Sequence, residues 1–192
     1  FSAGPSTLPL EALEEAAGRF VEYENSGMSL VEMSHRGKQY DAVHNETIAL
    51  LREALQVPEG YHVLLLQGGA TLQFGMIPMA FLKPGMSADY ILTGSWAKKA
   101  YDDAKLIGAV NVPWDGKAEK YSRMPAQSEL KLTPGAAYVH LCSNETIGGI
   151  QWQSFPDTGN VPLICDMSSD IMSRPIPWDK IAMVYAGAQK NL

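Results

Sequence analysis

Only two cysteines occur in the 192 residues, Cys142 and Cys165, each inside an apolar run ("YVHLCSN" and "PLICDMS"). Two such isolated thiols exclude a disulfide framework and a cysteine-based metal cluster, and they read as buried side chains. His44, His62 and His140 have no metal-ligand spacing either; they read as structural, and no metal site is expected. No run of Lys or Arg occurs, and the formal net charge is -6. A nucleic acid or an anionic membrane surface is therefore not an expected partner, and a small molecule is. No stretch approaches the ~20 uninterrupted apolar residues of a membrane span, and the N-terminal "FSAGPSTLPLEAL" lacks the basic-then-apolar order of a signal peptide, so the expected location is the cytoplasm. Internal repeats and low-complexity tracts are missing as well.

What is present is an ordinary globular balance, 46% hydrophobic and 19% charged, enough for one substantial core and, by default, one large domain. Because the chain begins at Phe1 rather than Met and stops just past an apolar run, it reads as part of a longer protein. Residues 8–24 place Leu10, Leu13, Ala17 and Phe20 on one helical stripe, with Pro9 in the first turn and Thr7 as candidate cap. Residues 38–56 repeat the amphipathic period through Val43, Ile48, Leu51 and Leu55 until "VPEGY" breaks it. From there on, short apolar runs alternate with helical stretches: "HVLLLQ", "TLQFGMIPMAFL", "DYILTG", "SWAKKAYDDAKLI", "AVNVPW". Further strands are predicted at "AAYVHLC", "VPLICDM" and "IAMVYAG". This is the rhythm of βαβ units, and strands apolar on both faces belong in a mainly parallel sheet with helices on both faces. Residues 115–135, the most polar stretch, are expected to form a surface excursion.

In such a sheet, ligands bind beyond the carboxyl ends of the strands, so the residues that follow each apolar run matter most. They are Gly68-Gly69-Ala70-Thr71, Gly94-Ser95-Trp96, Ser143-Asn144-Glu145-Thr146, Asp166 and Lys190. Paired glycines ahead of a helix starting near Thr71 let backbone N–H groups converge on an anion such as phosphate, although a tight strand-to-helix turn has the same signature. The sequence is neither a P-loop nor the Gly-x-Gly-x-x-Gly fingerprint. Singly, Asp166 reads as a cap or turn former and Lys190 as a rim charge. Together, the anion cradle, an aromatic ring, a hydroxyl, a carboxylate and a lysine are what pyridoxal phosphate requires. Its phosphate needs the cradle, its pyridine nitrogen a carboxylate, and its aldehyde an amine for a Schiff base; its ring can stack on Trp96.

Seven blocks carry a resemblance: "FSAGPSTLP", "EMSHRGK", "LLLQGGATLQF", "ADYILTGSWAKKA", "HLCSNETIGGI", "CDMSSDIMSRPI" and "YAGAQKN". In this order and spacing they resemble the phosphoserine aminotransferase family, class-V enzymes of the fold-type I pyridoxal-phosphate group. The resemblance implies a three-layer αβα large domain, of which residues 1–192 would supply the N-terminal segment and most, with a C-terminal small domain absent from this chain. It implies Lys190 as the Schiff-base lysine and proton carrier and Asp166 as partner of the pyridine nitrogen. Trp96 would stack on the ring, Thr146 would bond its phenolic oxygen, and Ala70, Thr71 and Gln189 would bind the phosphate. Arg36 would bind a substrate carboxylate, with His35 beside it at the substrate phosphate. Some members carry an arginine where Thr71 stands, so this chain lacks that second phosphate clamp.

The implied reaction is ping-pong transamination between L-glutamate and 3-phosphohydroxypyruvate, giving O-phospho-L-serine and 2-oxoglutarate in serine biosynthesis, with phosphohydroxythreonine of pyridoxine (vitamin B6) synthesis as a second possible substrate. The family also implies a homodimer with a shared active site. The alternatives are another fold-type I aminotransferase or a desulfurase, or a non-catalytic cofactor-binding fragment that needs its C-terminal half.

Overall fold

The computed structural model describes residues 6–192, so Phe1–Pro5, the start of the "FSAGPSTLP" block, lies outside the described residues. Where composition suggests one large domain, the chain divides into two compact units, Ser6–Leu65 and Leu66–Leu192.

The smaller unit holds helices α1 (Leu10–Val21) and α2 (Lys38–Ala54). Leu10, Leu13 and Phe20, the apolar stripe read from the sequence, are exposed, and no residue of α1 is buried. Thr7 is not its cap: Pro9 itself occupies the N-cap position and no side chain bonds the first amides, which leaves Thr7 two residues upstream of the capping position. Beyond α2 the turn is tied by Arg52, whose guanidinium donates to the carbonyls of Tyr61 (2.7 Å), Pro58 (3.0 Å) and Val57 (3.3 Å).

In the larger unit, five strands form a wholly parallel sheet in the order β2-β1-β3-β6-β7. They are β1 (Ser87–Tyr90), β2 (Ala109–Asn111), β3 (Val139–Cys142), β6 (Leu163–Asp166) and β7 (Met183–Tyr185). Helix α3 (Gly69–Phe81) precedes β1, and α4 (Ser95–Ala104) connects β1 to β2. The central strands β3 and β6 are buried along their whole length, which explains why they read as unbroken apolar runs. Phe74 and Ile77 of α3 and Ala100 and Ala104 of α4 pack with Tyr90, Ile164 and Tyr185 of the sheet in one apolar cluster. At ~25 cal/mol per Å² of apolar surface removed from water, such a cluster is what holds helices of ten to thirteen residues in place. The α/β class and the parallel sheet are therefore as expected.

Two features differ from expectation. "HVLLLQ" is not a strand: residues 62–67 pair with nothing among the described residues, and Leu64, Leu65 and Leu66 are exposed. A run apolar on both faces becomes a strand only where both faces are covered. Conversely, "NETIGGIQ" forms an antiparallel hairpin, β4 (Asn144–Glu145) and β5 (Ile150–Gln151). The polar stretch 115–135 does lie outside the sheet, carrying two short 3-10 turns, Gly116–Glu119 and Gln127–Glu129.

Candidate functional site

Parallel strands all end on one rim, and the rim of this sheet borders a cavity of about 340 Å³. Gly69, Ala70, Thr71, Trp96, Thr146, Asp166, Gln189 and Lys190 all line it. The cavity thus joins residues spread over more than a hundred positions of sequence.

The cradle begins at Gly68 and Gly69, with φ of 94° and 63°. Both values are left-handed, which glycine adopts freely, and a Cβ on Gly68 would lie 2.3 Å from Leu72 Cδ2. Two such residues in succession turn the chain sharply into α3, whose first amides have no side-chain cap. Gly69, Ala70 and Thr71 of this turn line the cavity, and uncapped N–H groups at the positive end of a helix can take an anion. Gly187 lies against this turn: a Cβ there would stand 3.6 Å from Ala70 Cβ and 3.8 Å from Gln189 Nε2. The "GGAT" and "AGAQK" blocks therefore meet, as the sequence expectation requires of Ala70, Thr71 and Gln189.

Lys190 Nζ donates to Thr146 Oγ1 at 3.0 Å and stands 5.6 Å from the centre of the Trp96 ring. Trp96 also carries Lys99 Nζ at 4.3 Å from its ring, and its indole N–H is buried without a partner among the described residues. Asp166, at the end of β6, is 4% exposed. One carboxylate oxygen accepts from Ser168 N (2.9 Å) and Ser168 Oγ (2.6 Å). Burial raises the Asp166 pKa above the ordinary carboxylate value; the hydrogen bonds from Ser168 and Tyr185 and the charge of Lys190 offset part of that rise.

Several residues of the site were given no role of their own by the sequence. Ser168 bonds Asp166 and also accepts from Gly187 N at 3.0 Å, so it clamps the Asp166 and Lys190 segments together. Its signal was the "DMSS" turn, since a serine two residues after an aspartate closes a local side-chain-to-backbone turn. Asn144 lines the cavity and is held by Ser169 Oγ at 3.1 Å. Phe74 and Ile147 line its walls, and no sequence pattern marked either.

Glu145 is the least legible. Its side chain is buried, and it accepts from Ala97 N (2.9 Å), Trp96 N (3.0 Å) and Thr93 Oγ1 (3.3 Å). This one carboxylate caps α4 from 48 residues away. It fixes the helix that carries Trp96 while its neighbour Thr146 holds Lys190. Burial raises its pKa, and the backbone donors offset part of the rise. Only a glycine fits beside it, because a Cβ on Gly94 would lie 2.5 Å from its Cδ. Replacing Glu145 by alanine leaves two buried amides without acceptors and is expected to lower unfolding stability by about 2 kcal/mol in a urea titration.

Arg36 and His35 belong to the 6–65 unit, in the exposed turn ahead of α2, where Arg36 N donates to Ser34 Oγ at 3.2 Å. Among the described residues, no cluster of metal-ligating side chains occurs, and no helix is long and apolar enough to cross a membrane.

A family model described as "Aminotransferase class-V" matches residues 1–192. Phosphoserine aminotransferase of Niallia circulans is 57% identical over 192 residues, covering 100% of this chain and 53% of that protein. Among solved structures, phosphoserine aminotransferase from Bacillus circulans subsp. alkalophilus superimposes with a TM-score of 0.96 at 57% identity, over 100% of this chain and 53% of that one. The pyridoxal-phosphate-bound phosphoserine aminotransferase of Trichomonas vaginalis superimposes with a TM-score of 0.92 at 45% identity, over 100% of this chain and 54% of that one. The chain spans about half the length of the curated relatives it matches.

Proposed function

The chain belongs to the class-V aminotransferase family, and on that premise we propose that it forms the N-terminal segment and most of the cofactor-binding domain of a pyridoxal-phosphate-dependent phosphoserine aminotransferase. The observation that carries this reading is the meeting of Lys190, Asp166, Trp96, Thr146 and the Gly68-Gly69 cradle around one cavity. The donor set fits pyridoxal phosphate: helix amides without a side-chain cap for its phosphate, a buried carboxylate for its pyridine nitrogen, an indole face for its ring and an amine for its aldehyde. The relatives named above at 57% identity support phosphoserine as product.

When bound, pyridoxal phosphate supplies an aldehyde that takes up an amino group and a cationic ring that draws electrons from the substrate α-carbon. Lys190 would supply the amine that holds the aldehyde and, once freed, the base that takes the α-proton. Asp166 would face the ring nitrogen and keep a proton there. Trp96 would cover one ring face, and Thr146, the present partner of Lys190 Nζ, would bond the phenolic oxygen. The amides of Gly69, Ala70 and Thr71, with Gln189, would hold the phosphate. Arg36 would bind a carboxylate of the substrates, with His35 beside it for a substrate phosphate.

We further infer glutamate and 3-phosphohydroxypyruvate as substrates, phosphohydroxythreonine as a second one, a homodimeric assembly and a cytoplasmic location. Borohydride reduction in the presence of pyridoxal phosphate, followed by peptide mass spectrometry, is expected to leave a pyridoxyl group on Lys190 of the full-length protein. An adduct confined to other lysines, or none at all, would overturn the reading.

A further inference from the structure

The turn "DMSSDI", residues 166–171, ties the parts of the cavity together through bonds that the reaction outlined above does not use. Ser169 Oγ bonds the carbonyl and the side-chain oxygen of Asn144, each at 3.1 Å. Asp170 accepts from Ser143 Oγ and, at 2.7 Å, from Gln151 Nε2. Both residues thereby reach the hairpin that carries Thr146. The lysine segment is held from the same turn at two points. Gly187 N, three residues before Lys190, donates to Ser168 Oγ at 3.0 Å, and Asn191 Nδ2, one residue after it, donates to the carbonyl of Ile171 at 2.6 Å. Between these ties Gln189 N closes back on the Gly187 carbonyl at 2.9 Å, so a tight turn passes any movement of Gly187 on to the lysine.

Ser168 differs from its neighbours because its hydroxyl is bonded on both sides, and the protons can be placed by elimination. A backbone N–H only donates, so Gly187 occupies a lone pair of Ser168 Oγ. The hydroxyl proton is then committed to Asp166 Oδ1, 2.6 Å away, and Ser168 N donates to the same oxygen at 2.9 Å. Two donors on one oxygen fix the rotation of the carboxylate and favour its charged form. One side chain, itself lining the cavity, thus joins the lysine segment to the carboxylate in the order Gly187, Ser168, Asp166.

We propose that Ser168 and Asn191 are positioning residues that keep the Lys190 backbone at a fixed separation from the Asp166 carboxylate, Ser168 by bonding both segments and Asn191 by bracing the far side of the lysine. Its meaning for catalysis rests on the cofactor reading: the pyridine nitrogen and the aldehyde of pyridoxal phosphate lie at opposite ends of one rigid ring, so the carboxylate and the amine that receive them have to keep a matching separation. Thr146 cannot set that separation, because its 3.0 Å bond is made to the amine that has to move. Ties on either side of Lys190 leave its amine free while its backbone stays in place.

The test uses the full-length protein and reads Asp166 first without cofactor, by carboxylate 13C NMR titration with Asp166→Asn identifying the signal. Ser168→Ala removes the hydroxyl donor and is expected to raise the Asp166 midpoint, while Ser168→Thr, which keeps the hydroxyl, returns it to the wild-type value. Asn191→Leu, similar in size but without a donor, leaves the midpoint where it is. The other ionisable groups that act on Asp166, namely Lys190, Tyr185, Glu145, Cys142 and Cys165, are unaltered in all three variants. With pyridoxal phosphate added, the rate at which borohydride traps it on Lys190 is expected to fall about tenfold in both Ser168→Ala and Asn191→Leu and to recover in Ser168→Thr, since each variant loses one hydrogen bond that sets the reacting geometry. An Asp166 midpoint unmoved in Ser168→Ala, or a wild-type trapping rate in Asn191→Leu with only the melting temperature lowered, would overturn the proposal. Should Ser168→Ala not fold, Ser168→Cys, which fills the same space with a weak donor, takes its place. If the wild type itself traps no cofactor on Lys190, the proposed function falls, and the cofactor-free midpoints of the Ser168 variants still decide this inference.

Discussion

Lys190→Ala is expected to lower transamination in the full-length protein by about 10⁴-fold while leaving the fold intact. The factor follows from the two roles given to one amine: proton transfer by a placed base contributes about 10²–10⁴ by itself, and loss of the covalent anchor adds to it. The fold should survive because Lys190 is tied to the structure lightly. Its amine has one hydrogen bond, to Thr146, and one distant ring contact, to Trp96; losing a half-exposed side chain of this kind costs under about 1 kcal/mol. Lys190→Arg keeps the charge but offers no neutral amine, since guanidinium does not deprotonate in proteins, and is expected to be as inactive as the alanine variant. Added methylamine should return part of the lost rate to the alanine variant alone. Turnover within tenfold of wild type in Lys190→Ala would remove the lysine from the chemistry.

The strand ends were legible because of how a parallel sheet is built. Each buried strand is an unbroken apolar run, so its end is visible, and the next residue lies on the ligand-binding rim. Trp96, Thr146, Asp166 and Lys190 were located that way, and the structure brings them to one cavity. Glu145 was not legible, because its partners are amides 48 and 49 residues away and nothing local marks a carboxylate as a distant helix cap. His140 was read as structural from its spacing; its bond to Tyr185 depends on strand order β3-β6-β7, and sequence alone does not give strand order. "HVLLLQ" failed in the opposite sense, for its apolar pattern fits a buried strand while strand formation depends on a neighbour to pair with. Arg36 had no signal beyond its family block, since a lone arginine in a turn before a helix is ordinarily a solvated charge.

Asp166→Asn should separate function from stability more sharply than any other substitution, because the two effects have opposite signs. The amide keeps the shape and still accepts from both Ser168 donors, but it cannot hold a proton on the ring nitrogen, and activity is expected to fall by about 10²–10³-fold. Stability moves the other way. Burial places the folded Asp166 pKa above its ordinary value of 3.8, so between the two midpoints the folded protein binds more protons than the unfolded chain. A group raised in this way contributes its stability fully below pH ~4 and loses it as pH rises through the folded midpoint. In the cofactor-free wild type, Asp166 therefore lowers stability as the pH climbs out of the acid range. The asparagine variant does not titrate, and its melting temperature should fall less than that of the wild type over that interval. Parallel melting curves for the two proteins from pH 4 upward would show that Asp166 is not held at a raised pKa. If activity survived as well, Asp166 would be a turn former and nothing more. The expected pair of results, a slower enzyme with a flatter stability profile, is the mark of a carboxylate kept buried at a cost to the fold for the sake of the ligand it faces.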